Sequence, residues 1–311
     1  MRKKVKWLKA VLCFSILVSV ALVGCTSESS ATREIVTSSN DTASPSSEES
    51  SDNLITTDDS TVSADITIEK QILVDQNDIV ITAEKYVTDS FWGDGVKVLL
   101  ENNSNKDVTV SCNALIVNDY MITDLFVSEI AAGKKANDTI YLSSSELEAA
   151  GIDTVGKIEI YFHVYDSSSY DNIFDSDCVT IQTSEYSNMD TTPNDVGAEL
   201  YNEGGIRIVG KAVDENSFWG TAVLLYCENE SGRNVGISVD DLSVNGFMMS
   251  PLFSTTVYDG KKSIDDITIF STDLEENGIE SIEEVELKFH IYDAETYSTI
   301  TDTDPIVFSV N

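Results

Sequence analysis

The stretch Lys157-Ile158-Glu159-Ile160-Tyr161-Phe162-His163-Val164-Tyr165-Asp166 decides the fold. Ile158, Ile160 and Phe162 alternate with other residues, the period of two of a strand with one buried face. The stretch also returns. Sliding the chain by 127 residues places Phe162-His163 on Phe289-His290 and Tyr165-Asp166 on Tyr292-Asp293, with no gap. Working outward, Ser90-Phe91-Trp92-Gly93 falls on Ser217-Phe218-Trp219-Gly220, and Glu101-Asn102 on Glu228-Asn229. Leu125-Phe126 falls on Leu252-Phe253, and Gly133-Lys134-Lys135 on Gly260-Lys261-Lys262. From Ser90 to Asp166, 31 of 77 positions are identical, which defines an internal repeat. The expected copies run over 66–183 and 196–311, joined by a linker over 184–195, and each has the size of a single domain.

Within each copy the strand signals come in short runs. Ile79, Ile81 and Ala83 alternate, as do Ile206, Ile208 and Gly210. Val96 to Leu100 reads as a buried strand that ends in the turn-forming cluster Glu101-Asn102-Asn103-Ser104-Asn105. Val108, Val110 and Cys112, then Leu115 and Val117, continue the alternation. Asn118-Asp119 and Asn245-Gly246 are hairpin-turn dipeptides. Ser144 to Gly151 reads as one short helix with a serine cap and a glycine stop, and Ser271 to Gly278 is its counterpart. Seven or eight short strands per copy, with turns about every ten residues, predict an all-β chain of two tandem antiparallel β-sandwiches, each with one short helix.

The Phe-Trp-Gly run, the strand ending Glu-Asn, the Val-Asn-(Asp/Gly)-aromatic-Met hairpin, the Gly-Lys-Lys loop and the Phe-His-(Val/Ile)-Tyr-Asp strand carry a resemblance. The chain resembles the immunoglobulin-like domains of unknown function found in surface lipoproteins of Gram-positive bacteria. The resemblance covers both copies. It implies an immunoglobulin-like fold and an extracytoplasmic setting, and it transfers no catalytic residue.

The amino terminus points to the same setting. Arg2, Lys3, Lys4, Lys6 and Lys9 precede an apolar run from Ala10 to Val23 that is short for a membrane span. A basic start, a short apolar core and small residues before a cut site make a signal peptide over 1–24. Leu22-Val23-Gly24-Cys25 resembles a lipobox, in which the Cys25 thiol takes a diacylglyceryl group and becomes the new terminus. The expected partner is therefore the lipid bilayer, through an acyl anchor on Cys25. Residues 25–65 follow as an acidic Ser/Thr-rich tether with one basic residue, Arg33, and no aromatic one. Such a composition buries too little apolar surface to fold, and as a coil it spans roughly 35 Å.

Charge narrows the partners further. Five of the 19 Lys and Arg residues and none of the 54 Asp and Glu lie in the segment through Cys25, so the processed chain carries 14 basic residues and a formal charge of −40. Phosphate contacts need Lys and Arg, so no nucleic acid is expected. Lys134-Lys135 and Lys261-Lys262 read as isolated basic loop residues. Cys112, Cys178 and Cys227 have no zinc-ligand spacing. A Cys112–Cys178 bridge is possible, but their repeat counterparts are Val239 and Pro305, which favours packed thiols for these residues and for Cys227.

Three candidate sites remain. Phe91, Trp92, Phe218 and Trp219 are the possible ligand-contact aromatics for a sugar or peptide, or else they cap one end of each sandwich. Asp166, Asp175 and Asp177, matched by Asp293, Asp302 and Asp304, are the calcium candidates, read against a default of solvated acidic loops. His163 and His290 follow an inward phenylalanine and so point outward; catalysis would need a nucleophile and an orienting carboxylate beside them. No cofactor, resident metal or catalytic residue is expected. The sequence reads as a non-catalytic surface binding or interaction module for an unknown ligand or protein. An accessory subunit of an envelope complex is the alternative, and a metal-dependent hydrolase the more distant one.

Cells fed a labelled fatty acid are expected to incorporate it into the full chain, and Cys25→Ala is expected to abolish both the label and membrane fractionation.

Overall fold

The structure is a computed structural model, and it describes residues 65–89, 93–217, 220–250 and 252–309. The first copy of the repeat forms β1 (Gln71–Gln76), β2 (Ile79–Asp89), β3 (Gly93–Asn102), β4 (Val108–Val117), β5 (Tyr120–Ile122), β6 (Val127–Ile130) and β7 (Lys135–Tyr141). Helix α1 (Ser144–Ala150), β8 (Lys157–Asp166), β9 (Asn172–Asp175) and β10 (Val179–Gln182) complete it. The second copy forms β11 (Ala198–Glu203), β12 (Ile206–Ser217), β13 (Gly220–Asn229), β14 (Val235–Val244), β15 (Phe247–Met248), β16 (Ser254–Val257) and β17 (Lys261–Phe270). It ends with α2 (Ser271–Glu276), β18 (Glu284–Asp293), β19 (Thr299–Asp302) and β20 (Ile306–Ser309). Strand β4 starts 127 residues before β14 and β8 the same distance before β18, so the sequence offset is also the structural one.

In the first copy β1-β2-β3-β7 form one antiparallel sheet, and β10-β8-β4-β5, with β6 and β9 at its ends, form the other. The inward residues of the two sheets meet as one core: Ile81, Val98 and Leu100 from one, Ile160, Phe162 and Val164 from the other. All are fully buried. In the second copy Ile208, Val223 and Leu225 face Leu287, Phe289 and Ile291 in the same way. The chain is thus built from antiparallel β-sandwich layers with two small helices.

Local chemistry explains the corners. Asn118-Asp119 and Asn77-Asp78 adopt left-handed backbone angles at both residues, as a two-residue hairpin requires, and Asn245-Gly246 does the same. Helix α1 stops at Gly151, which is left-handed and donates its N–H to Glu148 O at 3.0 Å. The expected serine cap is not used. Ser143 occupies that position but makes no capping bond, and its Oγ lies 3.3 Å from Ser145 Oγ instead. In α2 the cap position is Phe270, and the helix ends at Asn277, one residue before left-handed Gly278.

The Glu-Asn pair of the repeat has a structural task. Asn102 is buried, and its Nδ2 donates to Lys106 O at 2.7 Å and Ile130 O at 2.9 Å. Its Oδ1 accepts from Ser104 N and Ser104 Oγ. Asn229 repeats this with Arg233 O and Val257 O, both at 2.8 Å, and with Ser231. One amide thereby satisfies the backbone where β3 or β13 turns toward the opposite sheet.

The two copies are joined by more than the linker. Strand β5 pairs in parallel with β17, Tyr120 opposite Lys262, and Lys262 N donates to Asp119 O at 2.9 Å. The second sheet of copy one therefore continues into β17-β13-β12-β11 of copy two. Beside the seam, Lys261 Nζ lies 2.6 Å from Glu159 and 2.7 Å from Asp119, while Lys157 Nζ lies 2.6 Å from Asp119. Lys261 is thus a half-buried joint residue, not the isolated loop lysine that the sequence suggests. Tyr161 meets Tyr258 edge-on at 5.0 Å, and Val209, Tyr226 and Ile264 of copy two pack into the core of copy one. The linker is strapped down as well: Asn194 N donates to Tyr120 OH at 3.0 Å, and Lys211 Nζ donates to Asn194 O. At the other end of the linker, Ser184 N donates to Thr67 O at 2.8 Å and Ile68 bridges Thr183 in antiparallel fashion.

Burial alone would raise the Asp119 carboxyl, but the two lysines outweigh it and hold the group below its ordinary 3.8. Burial would likewise lower Lys261, and its two carboxylate partners hold it above 10.5. The Asp119 contribution is therefore present above the unfolded pKa and is lost as pH falls through the depressed folded value; that of Lys261 is lost only as pH rises through its raised one. Lys261→Ala is expected to lower stability by about 1–3 kcal/mol at neutral pH, and by progressively less as acid protonates Asp119, read from denaturant midpoints in a series running from neutral pH down through the carboxylate range. Asn229→Ala removes the side-chain donor to the buried Val257 carbonyl and one of the two donors to Arg233 O, and is expected to lower stability by about 1–3 kcal/mol, checked by the same titration.

Candidate binding site

Strand β8 ends at Asp166, and the chain must reverse to return as β9. Asp166 builds that turn. Its carboxylate accepts from Ser168 N, Ser168 Oγ and Ser169 N at 2.6–3.2 Å, and Lys106 Nζ lies 2.9 Å away. The Ser168 hydroxyl and Lys106, with the two amides, hold the carboxyl well below its ordinary value. Tyr170 N then donates to Asp166 O at 2.8 Å, which locks Tyr170 into the left-handed region at φ 61°. A bulky residue there is strained by about 1–3 kcal/mol. Its side chain is 77% exposed.

Copy two repeats every part. Asp293 accepts from Thr296 N, Thr296 Oγ and Glu295 N at 2.8–3.1 Å. The Thr296 amide and hydroxyl are the main reasons its carboxyl sits below the ordinary value. Tyr297 N donates to Asp293 O at 2.8 Å, Tyr297 has φ 56°, and it too is 77% exposed.

Each tyrosine ends a row of rings on the outward face of its strand. His163 lies 5.2 Å from Tyr165, and Tyr165 stacks on Tyr170 at 6.1 Å. His290 lies 5.4 Å from Tyr292, and Tyr292 stacks on Tyr297 at 6.2 Å. The row in copy two needs a glycine beneath it, since a Cβ on Gly236 would sit 2.2 Å from Tyr292 Cζ. In such a row the inner faces cover one another, and the ring that reaches solvent is the last. His163 Nδ1 bonds Asp175 Oδ1 at 2.7 Å, and His290 Nδ1 bonds Asp302 Oδ1 at 2.5 Å. Burial alone would raise Asp175; the bonds from His163, Asn113 and Asn172 outweigh it and lower the group. The site thus offers an aromatic face next to hydroxyl and carboxylate groups, which suits a flat, weakly polar ligand.

The residues singled out in the sequence fare differently. Cys25, Phe91, Trp92, Phe218 and Trp219 lie outside the described residues. Asp166 gives Oδ1 to its turn and Oδ2 to Lys106, and Asp293 gives Oδ1 to its turn; Asp175 bonds His163, Asn113 and Asn172, and Asp302 bonds His290. Among the described residues no group of three or more His, Cys, Asp or Glu is placed to hold a metal ion. The histidines do have an orienting carboxylate, but among the described residues no serine, threonine or cysteine side chain hydrogen-bonds either ring. The three cysteines among the described residues, Cys112, Cys178 and Cys227, are free. Cys227 is buried and Cys112 is largely so, and burial pushes both thiols up. Cys178 is exposed, 3.9 Å from Glu159 Oε1, so the packed-thiol reading fails there because Pro305, its counterpart, marks an outer strand start rather than a core position.

Tyr170 and Tyr297 are the residues that the sequence reading misses. Four positions beyond Asp166 the two copies again agree, tyrosine on tyrosine, at the end of a polar turn where an aromatic has no core to enter.

Neither a family model nor a curated protein matches the chain. Solved structures give distant likenesses. The Salmonella enterica SafA pilin in complex with the SafB chaperone is 11% identical over 70% of this chain and 89% of that one, with a TM-score of 0.21. The YadV chaperone is 14% identical over 75% and 100%, with a TM-score of 0.23. A protein of unknown function from Porphyromonas gingivalis W83 is 9% identical over 79% and 97%, with a TM-score of 0.20. Among the described residues no helix is long and apolar enough to cross a membrane.

Proposed function

We propose that this protein is a non-catalytic binding module, anchored through Cys25 to the extracytoplasmic face of the cell membrane, that grips a surface ligand through Tyr170 and Tyr297. The observation that carries the reading is the strained, exposed tyrosine held by the same aspartate turn in both copies. A side chain kept in an unfavourable backbone conformation, with no core to fill, is held for what it presents. Two equivalent faces on one chain favour a repetitive ligand, since the second contact then forms at high effective concentration. The sugar rings of an envelope polysaccharide have the flat, weakly polar face that a tyrosine takes. The formal charge of −35, or −40 once the basic signal segment is removed, speaks against nucleic acid.

In sedimentation with insoluble envelope polysaccharide, Tyr170→Ala and Tyr297→Ala are each expected to weaken binding about 2- to 10-fold, the equivalent of ~0.5–1.5 kcal/mol, and the double substitution by about the product. Tyr170→Gly gains backbone freedom as it loses the stack, so stability should move by less than about 1 kcal/mol while binding falls. Undiminished binding by the double variant would remove the tyrosines from the function.

A further inference from the structure

The seam between the copies has two halves, and among the described residues each half exists a second time with no strand paired to it. Strand β5 supplies one half and β17 the other. The repeat counterpart of β17 is β7, and among the described residues β7 is the last strand of its sheet, with no further strand paired at its Lys135 end. The counterpart of β5 is β15, also the last strand of its sheet. Free edges carry unpaired N–H and C=O groups that seek another strand.

The side chains around these edges match the pattern of the seam. Lys134-Lys135 stand where Lys261-Lys262 stand, and both are exposed. Glu286 stands where Glu159 takes Lys261 at 2.6 Å, and it too is exposed. Phe247 stands where Tyr120 enters the seam. Tyr120 is 5% exposed, whereas Phe247 is 46% and its neighbour Met248 is 67% exposed. One chain therefore shows an apolar strand beside an acidic residue at one end, and a free edge with two lysines at the other.

We infer that a second copy of this chain docks head to tail, with β15 of one molecule pairing in parallel with β7 of the next, Phe247 opposite Lys135 and Glu286 against Lys134. The contact is heterologous, so each molecule keeps one free half and the arrangement grows as a row. The row is held more weakly than the internal seam. Gly246 replaces Asp119, Leu99 replaces Tyr226 and Asn137 replaces Ile264, and no linker ties the partners. The strong net negative charge of each molecule also opposes approach at low salt and is screened at physiological ionic strength. The inference is independent of the ligand reading.

Neighbouring strands lie about 4.8 Å apart, within the Cα range of a disulfide. Full-length Lys135→Cys and Phe247→Cys chains, both with exposed Cys178 changed to Ser, are mixed in detergent at physiological salt and mildly oxidised. The mixture is expected to give a crosslinked pair in at least tenfold higher yield than either chain alone, and one chain with both substitutions a ladder. Glu286→Lys on the Phe247→Cys chain should cut the yield several-fold, and Lys134→Glu on the other should restore it. A chain with Tyr120→Cys and Lys262→Cys reports on the geometry, because it should close its own bond. If that bond forms while the mixture yields no more than the separate chains, the row does not exist and the free edges take another partner or none. If that bond fails as well, the parallel seam falls and the inference with it.

Discussion

A strand that buries one face must show the other, and β8 keeps that alternation from Lys157 to Asp166 without a break. Everything else follows from it. The inward residues Ile158, Ile160, Phe162 and Val164 form the floor of the first core. The outward residues are then fixed in order along the strand. Glu159 and Tyr161 reach the second copy, while His163 and Tyr165 begin the ring row that ends at Tyr170. A shift of one residue in register would exchange the two faces and put a carboxylate and a histidine into the core. Core, joint and candidate site are therefore three uses of one strand.

The copies agree where that constraint is internal and differ where it is not. Phe162, Asn102 and Asp166 are retained in copy two because a core, a buried corner and a turn demand the same chemistry in both. Of the outward joint positions on β8, Glu159 is kept as Glu286, whereas Tyr161, which meets Tyr258, becomes Lys288 in β18. Tyr226, Val209 and Ile264, which fill the core edge of copy one, have Leu99, Thr82 and Asn137 as counterparts. Duplication supplied two similar units, and divergence at a few surface positions made one internal seam.

Much of the architecture was legible in the sequence because its causes are local. Alternation along Ile79–Ala83 and Ile158–Phe162, and the dipeptides Asn118-Asp119 and Asn245-Gly246, mark strands and hairpins where the structure has them. The outward aim of His163 follows from the inward aim of Phe162. The helix stop at Gly151 was readable for the same reason, while the serine cap was not realised, since a cap depends on a rotamer that sequence does not set. The parallel seam was hidden, because pairing of Tyr120 with Lys262 depends on how two finished sheets meet, and Lys261 therefore looked like a loop residue. The acidic candidates misled by type. An aspartate after a strand is as well suited to hold its own turn as to hold a cation, and Asp166 and Asp293 do the former. Tyr170 and Tyr297 were visible only as a coincidence of two positions, without the hydrophobic period that gives meaning to a core residue.

The antiparallel contact of Thr67 and Ile68 with Ser184 and Thr183 has a mechanical meaning. The amino-terminal segment and the linker leave this contact in the same direction. A pull between the start of the chain and the adjoining linker residues therefore does not shear the bonds together; it opens them one at a time, as a zip. Such a contact yields at low force.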